Sequence, residues 1–174
     1  QGRNETLLIA DLLKTPHDPY LHYQLGKEKE IDENYQDATD CYQTALHNIN
    51  NHFEAWHHDL LIRSLFCFKK AALFQEALNI ANQWLDRLND MPDFHFVLGD
   101  IYLDMALRHP EDANQFLPLI EAHWLKCLEI GERPDLDGCV IGRGSTLAAH
   151  NLSVFYETIG LPEKADLFKK FTNS

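Results

Sequence analysis

The sequence has no apolar run of the roughly 18–20 residues that a transmembrane helix needs, and no basic segment followed by an apolar stretch at its start. Basic residues are also scarce. The 15 Lys and Arg stand against 27 Asp and Glu, which gives a formal net charge of −12. Nucleic acids and anionic lipid surfaces require positive charge from a protein. These shortages predict a cytoplasmic protein with no membrane insertion and no nucleic-acid partner, and they favour a basic or neutral partner.

The four cysteines include no C-x-x-C pair, the spacing that zinc sites and redox motifs use. Three of them lie in apolar helical patterns, where a small hydrophobic residue belongs. We therefore interpret all four as free, reduced thiols. They are Cys41, Cys67, Cys127 and Cys139.

Strand-forming stretches are equally rare. The one β-like segment, Cys139 to Ile141, is three residues long and lies between Gly138 and Gly142. Helical periodicity dominates the rest of the chain. The sequence therefore predicts an all-α fold.

A repeated pattern of small and aromatic residues organises the predicted helices. In the first unit Gly26 and Ala38 are twelve residues apart, and Ala38 is followed by Tyr42 and Ala45. Small residues at these positions let two antiparallel helices approach closely, and aromatic residues fill the space beside them. The pattern resembles the tetratricopeptide repeat, whose period is about 34 residues.

Three further units repeat this pattern with a different residue at some anchor positions. Leu65 replaces the glycine of the second unit, Gly99 marks the third, and Ser153 marks the fourth. The four anchor residues are 39, 34 and 54 residues apart, so the predicted array is irregular, with an insertion around 108–112.

The resemblance implies a right-handed superhelical array of antiparallel helix pairs within one domain, 1–174. We expect a lead-in helix and about four pairs, which together span about 19–49, 53–89, 93–130 and 145–172. The predicted helices are 4–14, then 19–31 with 35–49, 53–70 with 74–89, 93–108 with 113–130, and 145–159 with 162–172.

Two longer blocks resemble the repeat region that follows the catalytic domain of bacterial family-2 glycosyltransferases. The first combines Arg3 to Leu8 with Pro16 to Glu28. The second combines Lys126 to Glu132 with Ala149 to Glu157. This resemblance implies a parent enzyme that transfers sugar from a nucleotide-sugar donor, while this part binds a partner protein, an acceptor or itself. The start at Gln1 rather than Met fits a piece of a longer protein. The alternative is a free-standing adaptor or co-chaperone that binds a peptide.

Catalytic signals in the chain lack the structural context that they need. Asp135 and Asp137 form an Asp-x-Asp motif without a flanking strand, and Cys139 has no histidine placed by sequence to activate it. The glycine-rich loop around Arg143 matches neither the dinucleotide nor the P-loop fingerprint. We therefore predict no catalytic residues and no cofactor-binding residues; loop flexibility is the simpler explanation of the glycines.

Ten histidines raise the question of a metal site. Adjacent residues on a helix point about 100° apart, so His57 and His58 cannot bind one ion from the same face. Neither His47 nor His52 belongs to a His-x-x-x-His pair that could bind an ion together with a carboxylate between two helices. We therefore predict no metal ligands.

The strongest candidate site is the concave surface that such arrays form with the first helix of each pair. Helical spacing places aromatic, aliphatic and a few charged residues there, a composition that suits an extended peptide or a helix of a partner. The alternative is that several of these residues complete the core or contact another domain. The candidates are Tyr20, Tyr23, Lys27 and Glu30 of the first pair, Ile62, Phe66 and Lys69 of the second, Phe96, Asp100 and Leu103 of the third, and Leu147, His150 and Val154 of the fourth.

Overall fold

The computed structural model describes residues 2–49 and 52–173, and these residues form ten α-helices without a β-strand. The predicted all-α class is confirmed. The helices are α1 (Arg3–Leu12), α2 (Pro19–Ile31), α3 (Tyr35–Asn48), α4 (Trp56–Lys70), α5 (Phe74–Gln83), α6 (Leu85–Leu88), α7 (Pro92–Arg108), α8 (Ala113–Ile130), α9 (Thr146–Thr158) and α10 (Pro162–Lys169).

The chain divides into two compact units, Gln1–Gln83 and Trp84–Ser174. Trp84 also interrupts the helix predicted over 74–89, which is observed as α5 and the short α6. The array as one superhelical domain stays a prediction.

The first unit consists of α1 to α5, and each helix packs against the next along the chain. Asp18 begins α2, because its carboxylate accepts a hydrogen bond from the backbone N–H of Leu21 at 3.0 Å and Pro19 supplies the first helical residue. Asn34 caps α3 in the same way through the N–H of Asp37. The core of this unit contains Tyr23, Ala38, Tyr42, Ala45, Leu60 and Cys67.

The second unit consists of α6 to α10, with α7 packed on α8, α8 on α9 and α9 on α10. Two contacts fix the direction of α7 and α8. The Cys127 thiol meets the carbonyl of Pro92 at 3.2 Å, and Trp124 lies against Gly99 further along α7. Pro92 thus contacts Cys127, whereas the later residue Gly99 contacts the earlier residue Trp124. The two helices are therefore antiparallel. The core of this unit contains Ala106, Ile120, Trp124, Leu152, Phe155, Tyr156 and Ala165.

Close packing of a glycine against an aromatic ring recurs in the two units. A Cβ added to Gly26 would lie 2.4 Å from the ring of Tyr42, and one added to Gly99 would lie 2.4 Å from the indole of Trp124. Both rings are buried. These anchors of the repeat pattern are therefore glycine because the second helix of the pair places a ring where a side chain would be.

The same three-residue turn joins the helices of three pairs. Its middle residue is left-handed in each case: Glu33 at φ +56°, Ala72 at φ +60° and Gly160 at φ +79°. The residue after it donates its N–H to a carbonyl five positions back: Asn34 to Lys29, Leu73 to Phe68, and Leu161 to Tyr156. This is the hydrogen bond of a Schellman motif. Each middle residue lies seven positions after its anchor, Gly26, Leu65 or Ser153. The turn is therefore a structural repeat that the anchor pattern alone did not reveal.

The shared turn predicts opposite effects of glycine and alanine. A left-handed residue with a Cβ is strained by about 1 kcal/mol. Ala72→Gly is expected to raise the free energy of unfolding by up to about 1 kcal/mol, and Gly160→Ala to lower it by about as much. Urea unfolding of the whole chain measures both.

Ala71 provides the matched control, because it precedes Ala72 in the same turn with a right-handed φ of −77°. Ala71→Gly relieves no strain and is expected to destabilise the chain. Stabilisation by Ala71→Gly and Ala72→Gly alike would contradict this explanation of the turn.

Candidate functional site

Two helices of the first unit bring a row of large side chains together. On α2 the row is Tyr20, Tyr23, Lys27 and Glu30, and on α4 it is Trp56, Asp59, Arg63, Phe66 and Lys70. The spacing of three and four residues places each set on one side of its helix. Tyr23 meets Asp59 and Glu30 meets Arg63, so the two rows run in the same direction. We call these nine residues the α2–α4 face.

One end of the α2–α4 face is aromatic. The ring centroid of Trp56 lies 5.2 Å from that of Tyr20, edge to face, and 5.2 Å from that of Tyr23, stacked. The ammonium of Lys27 lies 5.0 Å from the centroid of the Tyr23 ring. Tyr20 is 48% exposed, whereas Tyr23 is buried. The buried ring therefore supports an aromatic surface formed by its neighbours.

The middle of the α2–α4 face is an ion-pair network centred on Arg63. Its guanidinium donates to Asp59 at 2.8 Å and to Glu30 at 3.0 Å. The hydroxyl of Tyr23 donates to the same Asp59 carboxylate, and that of Tyr42 on α3 donates to Glu30 at 2.7 Å. Both carboxylates are thus satisfied by a cation and a phenol. The network ties α2, α3 and α4 together.

The surroundings perturb the ionisable groups of this network. Burial raises the pKa of Tyr23 and Tyr42, and the adjacent carboxylates raise it further. Burial opposes the charge on Arg63, but its bonds to Asp59 and Glu30 outweigh this and raise its pKa. The phenols therefore stay protonated donors and the guanidinium stays charged, which keeps the network intact at neutral pH.

The other end of the α2–α4 face combines aromatic rings with lysines. Phe66 lies edge to face with Tyr35 at 6.0 Å. The ammonium of Lys70 lies 5.6 Å from the Phe66 centroid and 5.7 Å from the Tyr35 centroid, and Lys69 lies 5.8 Å from the Phe66 centroid. Lys70 is exposed at the surface, with its ammonium held over two rings.

The predicted groove residues of α2 all lie in the row on that helix, whereas on α4 only Phe66 lies in the row. Ile62, a predicted groove residue, is only 4% exposed, whereas the adjacent Arg63 side chain is 34% exposed. Trp56, Asp59, Arg63 and Lys70 were missed. The signal that identifies them is their spacing around Phe66, which a search for apolar side chains passes over.

The predicted groove residues of the second unit lie in several environments. Phe96 and Leu103 are partly buried against the core of that unit, and Asp100 is partly buried on α7. His150 and Leu147 are exposed on α9, and so is Val154 at 47%.

The loop between α8 and α9 is fastened by buried and half-buried polar contacts. Asp93 is fully buried at the start of α7, and its Oδ1 accepts from Arg143 at 2.7 Å and from the N–H of Val140 at 3.0 Å. Arg143 also lies over the Phe96 ring at 5.3 Å. The N–H of Gly142 donates to a carboxylate of the same loop, that of Glu132. These two backbone donors are therefore already bound, and a phosphate could not use them without displacing a carboxylate.

The loop residues that resemble catalytic groups are placed unfavourably for catalysis. Arg133 forms two hydrogen bonds with Asp135, which lower the pKa of that carboxyl, and Asp135 and Asp137 are both exposed. Burial, and then the neighbouring Asp93, raise the pKa of the Cys139 thiol to about 12. A thiol with such a pKa is a poor nucleophile at neutral pH.

Two histidines of the second unit form a half-buried pair. The Nδ1 atoms of His95 and His123 are 3.0 Å apart, and His95 Nε2 lies 3.0 Å from the carbonyl oxygen of Asn89. His95 therefore donates from Nε2 and accepts the Nδ1 proton of His123. Burial, and then the proximity of His95, lower the pKa of His123 to about 4. Both rings are neutral at pH 7, because burial also lowers the pKa of His95.

Among the histidines of the first unit, His57 is held by a local backbone contact. The buried His57 uses Nδ1 to accept from the N–H of Glu54 at 2.9 Å. Across residues 2–49 and 52–173, no three His, Cys, Asp or Glu side chains come together as a metal site would require. All four cysteines lie in this part of the chain, and each is a free thiol.

A scan against protein-family models finds no match for the chain, and a search of curated proteins finds no significant relative. None of the helices described above combines the length and hydrophobicity that a membrane crossing requires. The α2–α4 face is therefore the arrangement on which a functional proposal rests.

Proposed function

We propose that this chain is a non-catalytic protein-interaction module and that its α2–α4 face binds a segment of a partner protein. The observation that carries the proposal is the arrangement of aromatic and cationic side chains around Arg63, which are exposed at Tyr20 and Lys70 and partly buried elsewhere. Aromatic residues and Arg dominate the energetics of protein interfaces. Because ring packing and cation–π contacts already hold these side chains, binding loses less conformational entropy than it would on a mobile surface.

The repeated architecture supports the same proposal. Three helix pairs share one turn, and glycine–aromatic packing recurs in two. These features are those expected of a tetratricopeptide-like array, whose first helices line a binding surface. A right-handed superhelical array and a cytoplasmic location belong to this proposal.

The parent protein is proposed from the two sequence blocks described above. They favour the repeat region of a bacterial family-2 glycosyltransferase, in which this module binds a partner, an acceptor or a second copy of itself. The open reading frame tests this directly. A glycosyltransferase domain encoded upstream of Gln1 is expected; an open reading frame without one would favour the free-standing adaptor.

Selection from a displayed library of random peptides tests the binding face. Peptides enriched on the immobilised chain are expected to lose about tenfold in affinity on Tyr20→Ala and on Phe66→Ala, or about 1.4 kcal/mol each. Tyr20 suits this test better than Tyr23, whose buried ring and hydroxyl also hold the fold. Fluorescence anisotropy with the selected peptides measures the change.

Leu13→Ala is the matched control, because Leu13 is an apolar residue of the same unit that is 82% exposed and lies outside the α2–α4 face. It is expected to leave the affinity unchanged. Loss of affinity with Leu13→Ala but not with Tyr20→Ala or Phe66→Ala would place binding elsewhere and refute the proposal.

A further inference from the structure

The local charge of the α2–α4 face differs in sign from the net charge of the chain. The chain carries −12, yet the face holds Lys27, Arg63 and Lys70 against the carboxylates of Asp59 and Glu30. Both carboxylates are bound to Arg63 and to tyrosine hydroxyls. Among the nine residues of the face, the lysines are therefore the charged groups that no opposite charge of the described residues engages. The nearest further carboxylate at the aromatic end is that of the exposed Glu54, which accepts a hydrogen bond from the Trp56 indole at 3.1 Å.

The two lysines of this face are held by aromatic rings instead of carboxylates. Lys27 lies over Tyr23, and Lys70 lies over Tyr35 and Phe66. Within the described residues, neither forms an ion pair. A carboxylate that reached either ammonium would form a charge-assisted hydrogen bond beside an apolar ring, whereas a basic side chain would be repelled.

The positions of the lysines define a spacing. Tyr23 is level with Asp59 and Glu30 with Arg63, so Lys27 lies beside the stretch of α4 between those two residues. Lys70 lies further along α4 by about 13 Å, at 1.5 Å per residue. An extended chain covers this distance in about four residues.

The aromatic end of the face extends the spacing in the other direction. Trp56 precedes the level of Lys27 by about 8 Å, which is a little over two extended residues. Side chains of an extended segment alternate between its two sides. An anchor, an acid two positions later and a second acid four positions after that would therefore all point toward the face.

From this geometry we infer that the α2–α4 face binds an extended acidic segment of a partner protein, with an aromatic or aliphatic anchor followed by two carboxylates at this spacing. The inference rests on the proposed function, because it names the chemistry of the partner at the same face.

Three labelled peptides test the inference. Each has about ten residues, an amidated end and Gly and Ser elsewhere, with a Trp followed at this spacing by two Glu, two Gln or two Lys. Fluorescence anisotropy with the full chain is expected to give an affinity about tenfold higher for the Glu peptide than for the Gln peptide, and weakest binding for the Lys peptide. The advantage of Glu over Gln should shrink as salt concentration rises. The amide removes the terminal carboxylate, so binding depends on the two side chains.

Variants of the lysines identify the contacts. Lys27→Gln and Lys70→Gln are each expected to weaken binding of the Glu peptide about two- to fivefold and to leave that of the Gln peptide unchanged. Lys14→Gln is the control. Lys14 is an exposed lysine that lies two residues after the end of α1 and pairs with Asp11, and its replacement is expected to change the affinity of neither peptide.

Equal affinity for the Glu and Gln peptides, tighter binding of the Lys peptide, no effect of either lysine variant, or no binding of any peptide would each overturn the acidic-segment inference. The library selection judges the proposed function separately. Selected peptides that depend on Tyr20 but lack acidic residues would leave the interaction module in place and remove only the inferred chemistry.

Discussion

The Arg63–Glu30 ion pair and the hydrogen bond from Tyr23 to Asp59 link α2 to α4, two helices that both also pack on α3. A carboxylate in a half-buried position is unfavourable unless a cation or hydrogen-bond donors compensate it. Asp59 precedes Arg63 by one helical turn, but Glu30 comes from another helix, 33 residues earlier. Sliding or rotation of α2 relative to α4 would separate the Glu30 carboxylate from its cation, Arg63, and the Tyr23 hydroxyl from Asp59. The hydroxyls of Tyr23 and Tyr42 complete the network from two further positions.

This constraint links stability to the proposed function. The residues that hold the three helices are satisfied by one another, which leaves the residues at both ends of the α2–α4 face to contact a partner. At one end Trp56 and Tyr20 present aromatic surface, and at the other Phe66 and Lys70 combine a ring with a cation. A surface arranged in advance binds at a lower entropic cost than one that must order on binding.

Fold class was predictable because helical periodicity and small residues at helix contacts are local signals. The anchors Gly26 and Gly99 mark positions where Tyr42 and Trp124 pack closely. The left-handed turn residues were less evident, because Glu33 and Ala72 lack the glycine that usually reveals such a turn.

Candidate site residues were harder to predict on α4 than on α2. On α4 an apolar pattern selected Ile62, which is buried, while the neighbouring Arg63 carries the network. The importance of Arg63 depends on Glu30, a residue distant in sequence, so spacing within α4 gives no indication of it. In the second unit Arg143 covers Phe96 from a loop with no regular structure, a contact that helical periodicity does not specify.

The most direct test of the α2–α4 face as a binding surface is a titration of the ¹⁵N-labelled full chain with a library-selected peptide, followed by nuclear magnetic resonance. We predict that the largest chemical-shift changes occur at the Trp56 indole N–H, the Arg63 side-chain N–H and the backbone amides of Tyr20, Lys27 and Phe66. Changes concentrated on α1 or in the second unit, with these signals unmoved, would contradict the account.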